Sequence, residues 1–534
     1  MGDFQASSDS PLAARARDVL TSLFLTPRRL DSLVAHSRTS SDAGLSVTSP
    51  LTQTTLATLP RSTPRDVSEA CARARAAQQR WERVPVRERC RFLPRLVDAL
   101  DRHHDALVDL VCLENGKARS HAQDEVIDAS LNASFLAAHG PAALAPTRRR
   151  GAIPGVTKVV TERHPEGVVG IIAPWNYPFT LALSDALAAL VAGNAVVLKP
   201  ATLTPLSALA ARRLLLGSGL DPDLFQVVTG SGTETGSALI ESVDHVMFTG
   251  STAAGASVGA QAGARLCAFS AELGGKNPLI VLPGAPLAAS VRGIVAACFA
   301  SSGQLCVSIE RIYIHAAEWE RVVPRLVRAV GELRVQADLD WEADMGPLVS
   351  VDHMREVHAH VADAVAEGAR VLVGGHPLPD VAPSAYAPTL LTDVPPTARL
   401  YREETFGPVV ALTRVESVDE AVAAANDTAY GLNAAVWGPA REAERVAARL
   451  RAGSVNINDG YTATWASTAA PLGGWGRSGI GCRHGREGLL AFTRTRTIAR
   501  SRVWPLTAPV GFSHRRWARL MRVFAALKRK GPLA

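Results

Sequence analysis

Residues 167–200 read GVVGIIAPWNYPFTLALSDALAALVAGNAVVLKP, and their alternation decides the fold class. Two short β-branched runs, GVVGIIAP (167–174) and NAVVLKP (194–200), each close on a proline and flank a stretch of helical length. The same texture continues in LFQVVTG (224–230) and HVMFTG (245–250), with TPLSALAARRLLLGSG (204–219) as a helical spacer. Strand, helix and strand in this order predict a parallel α/β sheet. Ligands of such sheets lie beyond the carboxyl ends of the strands, where the Pro-Trp-Asn, Lys-Pro and Thr-Gly-Ser stretches fall.

Outward from this stretch, a second α/β pattern follows in NPLIVLPG, ERIYIH, ARVLVGG, VVALTRV, AAVWG and SVNIND, between 277 and 459. Upstream, residues 62–117 carry apolar side chains at helical spacing with several cap signals, which predicts a run of amphipathic helices with solvated charged faces. The first 50 residues are rich in Ser, Thr, Ala and Pro; an irregular lead-in with one short helix around 12–25 is expected. At 534 residues the chain exceeds one compact core. The expected division is a lead-in (1–50), a nucleotide-binding domain (51–150 with 164–275), a catalytic domain (276–470) and a small β-arm (151–163 with 485–500). A basic tail (501–534) closes the chain.

The formal net charge of +7 belongs to that tail. Residues 501–534 hold eight Lys and Arg and no acidic residue, leaving 7 − 8 = −1 for the remainder. A near-neutral body with 5% aromatic residues does not read as a nucleic-acid groove, so no nucleic acid partner is expected. The segment SHRRWARLMRVFAALKRK (513–530) puts Trp517, Leu520, Met521, Phe524 and Leu527 at helical spacing among basic residues. A solvated or docked tail helix is the simpler expectation, and contact with an anionic membrane surface is the other reading. Seven scattered cysteines without a C-x-x-C pair predict neither a disulfide framework nor a metal site, and fit a reducing cytoplasm. The start MGDFQASSDS is polar where a secretory peptide needs an apolar core, and Asp185, Gly193 and Asn194 interrupt the longest apolar run.

Cys306, in SSGQLCVSIER (301–311), is the candidate nucleophile among these thiols, although an isolated cysteine is ordinarily a small core hydrophobe. Its context is a set of motifs in fixed order: PWNYP (174–178), LKPATLTP (198–205), FTGSTAAG (248–255), AELGGKNP (271–278), GQLC (303–306) and REETFGPVV (402–410). FTGSTAAG lacks the G-x-G-x-x-G spacing of the usual dinucleotide fingerprint, so each element is weak alone. Together they resemble the aldehyde dehydrogenase superfamily, over most of the chain from about Thr63 to Arg500. Glu272 and Cys306 are 306 − 272 = 34 residues apart, the separation that resemblance leads one to expect. ACFASSGQLCVSIERIYI and GREGLLAFTRTRTIA further resemble the actinobacterial NADP-dependent succinate-semialdehyde dehydrogenases.

The resemblance implies roles. Cys306 would add to the aldehyde as a thiolate, Asn176 and the Cys306 N–H would hold the oxyanion, and Glu272 would activate the water that cleaves the thioester. Lys199 would bind the adenosine ribose, and Glu404 and neighbouring Phe406 the nicotinamide end. Gly250 and Ser251 would permit close approach of the dinucleotide, with Trp175 and Leu273 flanking it. Many NAD-using members carry glutamate three positions after the lysine, where this chain has Thr202; a carboxylate would repel a 2′-phosphate, so NADP is the expected cofactor and NAD the alternative. The fold implied is two parallel-sheet α/β domains plus a β oligomerisation arm, in a homodimer or homotetramer.

The implied reaction oxidises an aldehyde, succinate semialdehyde to succinate, to a free acid. The better-known enzymes for that substrate grip its carboxylate with two arginines, at positions that are Ser184 and Ala300 here. Arg311, or a basic group from the segment 461–475, would have to replace them, or the substrate is an aliphatic or aromatic aldehyde. A CoA-acylating enzyme would not need Glu272, and an inactive structural member of the fold is the reading from a different class. Among the other thiols, Cys482 is the one whose neighbours Arg483 and His484 are expected to lower its pKa.

Overall fold

The stretch 167–200 forms the strand Val168–Ile172, the helix Thr180–Ala192 and the strand Ala195–Lys199. The structure is a computed structural model describing residues 10–35, 44–151, 156–502 and 507–530. Parts of the expected lead-in (1–9 and 36–43), arm (152–155) and tail (503–506 and 531–534) lie outside the described residues. The helix Thr180–Ala192 is buried on every side, between the helices Arg119–Ala143 and Gly485–Ala491 and the sheet, which is why its sequence is apolar all round.

Five parallel strands make the first sheet, in the order Ala268–Glu272, His245–Thr249, Val168–Ile172, Ala195–Lys199, Phe225–Val227. Strand order reverses at Val168–Ile172, which pairs with Ala195–Lys199 on one side and His245–Thr249 on the other. Such a reversal opens a crevice at the carboxyl edge. The second sheet runs Arg370–Val373, Thr389–Thr392, Val409–Val415, Ile309–His315, Asn277–Val281, Asn433–Trp437, Ser454–Ile457, with only the first strand antiparallel. Leu279, Ile312, Leu412 and Trp437 pack its core on one face, and Ile280, Tyr313 and Val436 on the other.

Two compact units emerge, one of residues 1–144 with 164–494, the other of 145–163 with 495–534. In the second, the strands Thr147–Arg149, Thr157–Pro165 and Thr493–Ser501 form a three-stranded sheet. Arg496 reaches Glu162 at 2.9 Å and Arg163 donates to Thr495 at 2.8 Å across its strands.

Element positions depart from expectation in two places. The lead-in holds two helices, Pro11–Ser22 and Pro27–Leu33. Ser10 caps the first by accepting from the Ala13 N–H, Pro11 opens it, and Ala13, Ala16 and Val19 bury one face. The first lies where one short helix was expected; the second, Pro27–Leu33, was not expected and buries Leu30 and Leu33. The arm strand begins at Thr493, later than the sequence suggests, because 485–491 is a helix against Thr180–Ala192. Just before it, Gly479–Ile480 adds an antiparallel edge to the first sheet beside Ala268–Glu272. The chain therefore returns to the first sheet after finishing the second.

Candidate active site

The sequence-predicted residues gather along the carboxyl edge of the first sheet. Trp175 and Asn176 follow Val168–Ile172, Lys199 ends its own strand with Thr202 in the next turn, Gly250 and Ser251 follow His245–Thr249, and Glu272 and Leu273 follow from Ala268–Glu272. Ser251 caps the helix Thr252–Ala264, whose Gly255 leaves room for Leu273: a Cβ there would come within 2.3 Å of the leucine.

The loop carrying Trp175 and Asn176 is fixed from below by residues that sequence reading passed over. At the end of the helix His104–Asn115, Asn115 donates to the Trp175 carbonyl at 2.8 Å, and the Lys117 ammonium to the Asn176 carbonyl at 2.6 Å. Lys117 is wholly buried, pairs with Glu125 at 2.6 Å and lies 3.5 Å from the centre of the Tyr177 ring. Glu125 accepts from the N–H groups of Phe179 and Thr180, so a buried carboxylate caps the helix Thr180–Ala192. Breaking such a buried pair from one side costs about 3–5 kcal/mol. The sequence signal available was the charge pair Lys117 and Glu125, at i and i+8 just after the glycine helix stop Gly116, too weak to separate from a solvated face.

Cys306 comes from the second sheet's side, after the helix Leu287–Phe299. The approach turn holds three consecutive left-handed residues, Ser301 (φ 50°), Ser302 (φ 57°) and Gly303 (φ 70°). The two serines cost about 1–3 kcal/mol each in this region. Buried hydrogen bonds offset that: Ser301 to the Tyr177 hydroxyl at 2.9 Å, Ser302 to the Gly346 carbonyl at 2.7 Å, and the Val349 N–H to Gln304 at 3.0 Å. Gly303 admits no side chain, since a Cβ would lie 2.1 Å from the Gly407 carbonyl oxygen. The Asn176 amide donates to the Gln304 carbonyl at 2.9 Å, which ties it to the turn and leaves its second N–H available.

Cys306, Glu272, Thr249 and Arg483 line one cavity of about 30 Å³. Burial pushes the Cys306 thiol up to about 12 and the Glu272 carboxyl up to about 8, while the Arg483 guanidinium pulls both back. One buried oxygen of Glu272, Oε1, has no hydrogen-bond partner among the described residues. Arg483 donates to Thr249 at 2.7 Å and stands 3.4 Å from Asp185. Its role was not anticipated; it entered the sequence reading only as a neighbour of Cys482. There the expectation fails, because Arg483 points at Thr249 and Asp185, and burial with Glu272 and Glu487 raises the Cys482 thiol.

Arg311 is likewise no substrate-facing group. It donates to the carbonyls of Lys276, Ala424 and Ala425 and to Tyr313, so its donors are spent on the fold. The segment 461–475 contains no Lys, Arg or His; it supplies Tyr461 and Trp465 to the cavity wall. Those two aromatics also border an adjoining cavity of about 100 Å³, walled by Ile127, Leu131, Tyr177 and Leu305, with Asp124 and Asp128. Ser184 bonds Thr180 at 3.0 Å, and Ala300 is buried.

Glu404 and Phe406 stand on the loop before Val409–Val415. Glu404 accepts from the Gly275 N–H at 2.7 Å, and a Cβ on Gly274 would come within 2.1 Å of it. Burial, with Glu310 nearby, pushes Glu404 up to about 8. Glu310, paired with Lys276 at 2.6 Å, accepts the N–H groups of Thr405 and Phe406 and so holds the loop. The Phe406 ring meets Trp175 edge-on, with centroids 5.4 Å apart. Lys199 is buried, its ammonium pulled down to about 8 by that burial, and it donates to the Pro200 carbonyl at 3.1 Å.

The sequence pattern of the aldehyde dehydrogenase family matches residues 37–498. A Mycolicibacterium smegmatis protein provisionally named succinate-semialdehyde dehydrogenase [NADP(+)] is 47% identical over 494 residues, 92% of this chain and 96% of its own. A Mycobacterium tuberculosis protein of similar provisional name is 47% identical over 86% of this chain and 89% of its own. Among solved structures, an NADP-dependent enzyme of E. coli superposes with a TM-score of 0.84 at 31% identity, covering 89% of this chain and 99% of that one. A Staphylococcus aureus betaine aldehyde dehydrogenase in complex with NAD+ superposes with a TM-score of 0.86 at 27% identity, covering 93% and 99%.

Proposed function

Because this chain belongs to the aldehyde dehydrogenase family, we propose that it oxidises an aldehyde to the free carboxylic acid at Cys306, with NADP as preferred cofactor and succinate semialdehyde as substrate. The observation carrying this reading is the shared cavity of Cys306, Glu272 and Arg483. A nucleophile, a candidate base with an unpartnered oxygen, and a cation that eases ionisation of both adjoin one another there.

The Cys306 sulfur, as thiolate, adds to the aldehyde carbon to form a thiohemiacetal. The second N–H of Asn176 and the Cys306 backbone N–H stabilise the oxyanion; one such donor is worth about 2.7–4 kcal/mol. When bound, a nicotinamide dinucleotide supplies the hydride acceptor that leaves Cys306 acylated. Glu272 then takes a proton from water as the water attacks the thioester, and the acid leaves with the sulfur returned to thiolate.

The carboxyl edge suits that dinucleotide. Lys199 is a buried cation with no carboxylate partner among the described residues, the helix at Ser251 offers its amino end, and Glu404 holds a carboxylate beside Gly275. Thr202, half-buried in the turn after Lys199, puts no negative charge where a 2′-phosphate would sit. The names of the mycobacterial relatives support NADP and succinate semialdehyde alike. Arg483 is the only cationic side chain among the described residues that line the Cys306 cavity, and it supplies the charge that Ser184 and Ala300 lack. The adjoining cavity favours a second reading, an uncharged aliphatic or aromatic aldehyde, since its walls are apolar and its two charged residues acidic.

The division into a nucleotide-binding domain, a catalytic domain and an arm that joins subunits in a dimer or tetramer completes the reading. A two-strand ribbon, or one widened by the short Thr147–Arg149, is marginal alone and gains from such docking. Seven free thiols accord with the cytoplasm, and no helix among the described residues is long and apolar enough to cross a membrane.

A panel of succinate semialdehyde, medium-chain aliphatic and aromatic aldehydes, run with NAD and NADP, tests the proposal. Free acid should form without CoA, and Cys306→Ser should reduce aldehyde-dependent NADPH formation by about 1,000-fold or more. Strict dependence on CoA would overturn the hydrolytic reading. A higher kcat/KM with NAD would overturn the cofactor preference, and a higher kcat/KM for apolar aldehydes would select the second substrate class.

A further inference from the structure

Residues 501–534 contain no acidic side chain, and the charge of the whole chain resides there. Within them, His514–Lys530 is one helix of 17 residues, about 25 Å long at 1.5 Å per residue. At about 100° per residue, Trp517, Leu520, Met521 and Phe524 fall on one side and Arg515, Arg519, Arg522 and Arg529 on the other, with Arg516 at the flank and Lys528 on the apolar side in the last turn. Phe512 meets Trp517 edge-on with centroids 6.5 Å apart, so the apolar side continues past the start of the helix.

A helix docked by its apolar stripe would bury that stripe. Here no described side chain of the helix is buried: Leu520 on the stripe is 50% exposed, and Trp517, Met521 and Phe524 are half-buried. The helix is too short and too charged to cross a bilayer. An aromatic face opposite an arginine face, with low overall hydrophobicity, is the character of a helix lying in a membrane interface.

Independently of the active-site reading, we propose that His514–Lys530 binds the surface of bilayers rich in anionic lipid, its Trp517–Phe524 side in the headgroup boundary and its arginines against the phosphates. Charge complementarity favours this occupant over a second copy of the chain. Seven Lys and Arg stand in 17 residues without a carboxylate, while the chain outside 501–534 carries a formal charge of 7 − 8 = −1 and offers no opposing excess.

The test is co-sedimentation of the full chain with vesicles of phosphatidylcholine alone and of phosphatidylcholine with phosphatidylglycerol. Binding should require phosphatidylglycerol and weaken steeply as salt is raised. Joint reversal Arg515→Glu, Arg519→Glu and Arg522→Glu should lower the partition coefficient at least about tenfold, each basic residue contributing separately. Phe524→Asp should also lower it with every basic residue kept, while aldehyde-dependent NADPH formation stays at the parent rate in both variants. Absence of binding to anionic vesicles, or binding unaltered in either variant, overturns the proposal. So does a fall in oligomer size for Phe524→Asp in light scattering, which would assign the face to a second copy.

Discussion

Two buried glutamates flank the thiol, and they differ in wiring rather than in acidity. Glu272 and Glu404 are both pushed up to about 8, burial being the first cause in each. Glu404 is bonded to the Gly275 N–H and packed where Gly274 lacks a side chain, so it is fixed as an acceptor. Glu272 keeps an unpartnered oxygen and shares its cavity with Cys306 and Arg483. A raised pKa thus marks both as candidates, but only the one with a free oxygen beside the sulfur suits proton transfer. The other suits holding a ligand.

Substituting each as its amide gives the largest separation. Glu272→Gln should lower kcat by roughly 10²–10⁴, the usual worth of a positioned general base, and leave a covalent acyl-enzyme that accumulates after mixing. Glu404→Gln should instead raise KM for NADP about tenfold with kcat changed only a few-fold, as loss of a charge-assisted hydrogen bond to ligand would. Stopped-flow measurement of NADPH separates the two, since a burst followed by slow turnover belongs to the Glu272 variant. Equal losses of kcat without a burst would erase the distinction.

Arg483 sharpens the contrast, because it acts on one glutamate only. It eases ionisation of Glu272 and Cys306, whereas Glu404 answers to burial, Glu310, Gly275 and Lys276. A base must be deprotonated to work, so hydrolysis should fall as pH drops through about 8 and level off above it. Removing the cation in Arg483→Met raises the acid's pKa further, and the limb should move to higher pH by on the order of one unit. Alkylation of Cys306 by iodoacetamide at pH 8 should slow in the same variant, and Arg483→Lys should restore much of both. A merely structural role for Arg483 would lower activity at every pH without moving the limb.

How much of this was legible in the sequence follows from how far apart the partners lie. The strands and helices of 167–200 carry their pattern within a few residues, and Cys306, Glu272, Asn176 and Lys199 sit in motifs that are short and ordered. Arg483 has no such local mark. Its partners Thr249 and Asp185 are 483 − 249 = 234 and 483 − 185 = 298 residues upstream, and only the return of Gly479–Ile480 to the first sheet brings it to them. Lys117 looked like part of a solvated helix run because its neighbours are charged, yet Glu125 and the Asn176 carbonyl bury it. The helix Pro11–Ser22 falls where a short helix around 12–25 was expected, but its anchor was not legible: Arg15 reaches the buried Asp109 at 2.9 Å, 109 − 15 = 94 residues away. Local period reports which face is apolar; it carries nothing about which distant charge will meet it.

The smallest effect is also the one whose sign discriminates best. Asp185 stands 3.4 Å from Arg483 and opposes ionisation of Glu272, the reverse of what the arginine does. Asp185→Asn keeps the volume and an acceptor for Arg483 while removing the negative charge. The limb of the hydrolysis profile should therefore shift to lower pH, by roughly a few tenths of a unit, opposite to the shift in Arg483→Met. The plateau rate above pH 9 should stay that of the parent, because the deprotonated base is unchanged. If both variants moved the limb the same way, the shift would come from loosened packing around Arg483, and the electrostatic difference between the two glutamates would have to be abandoned.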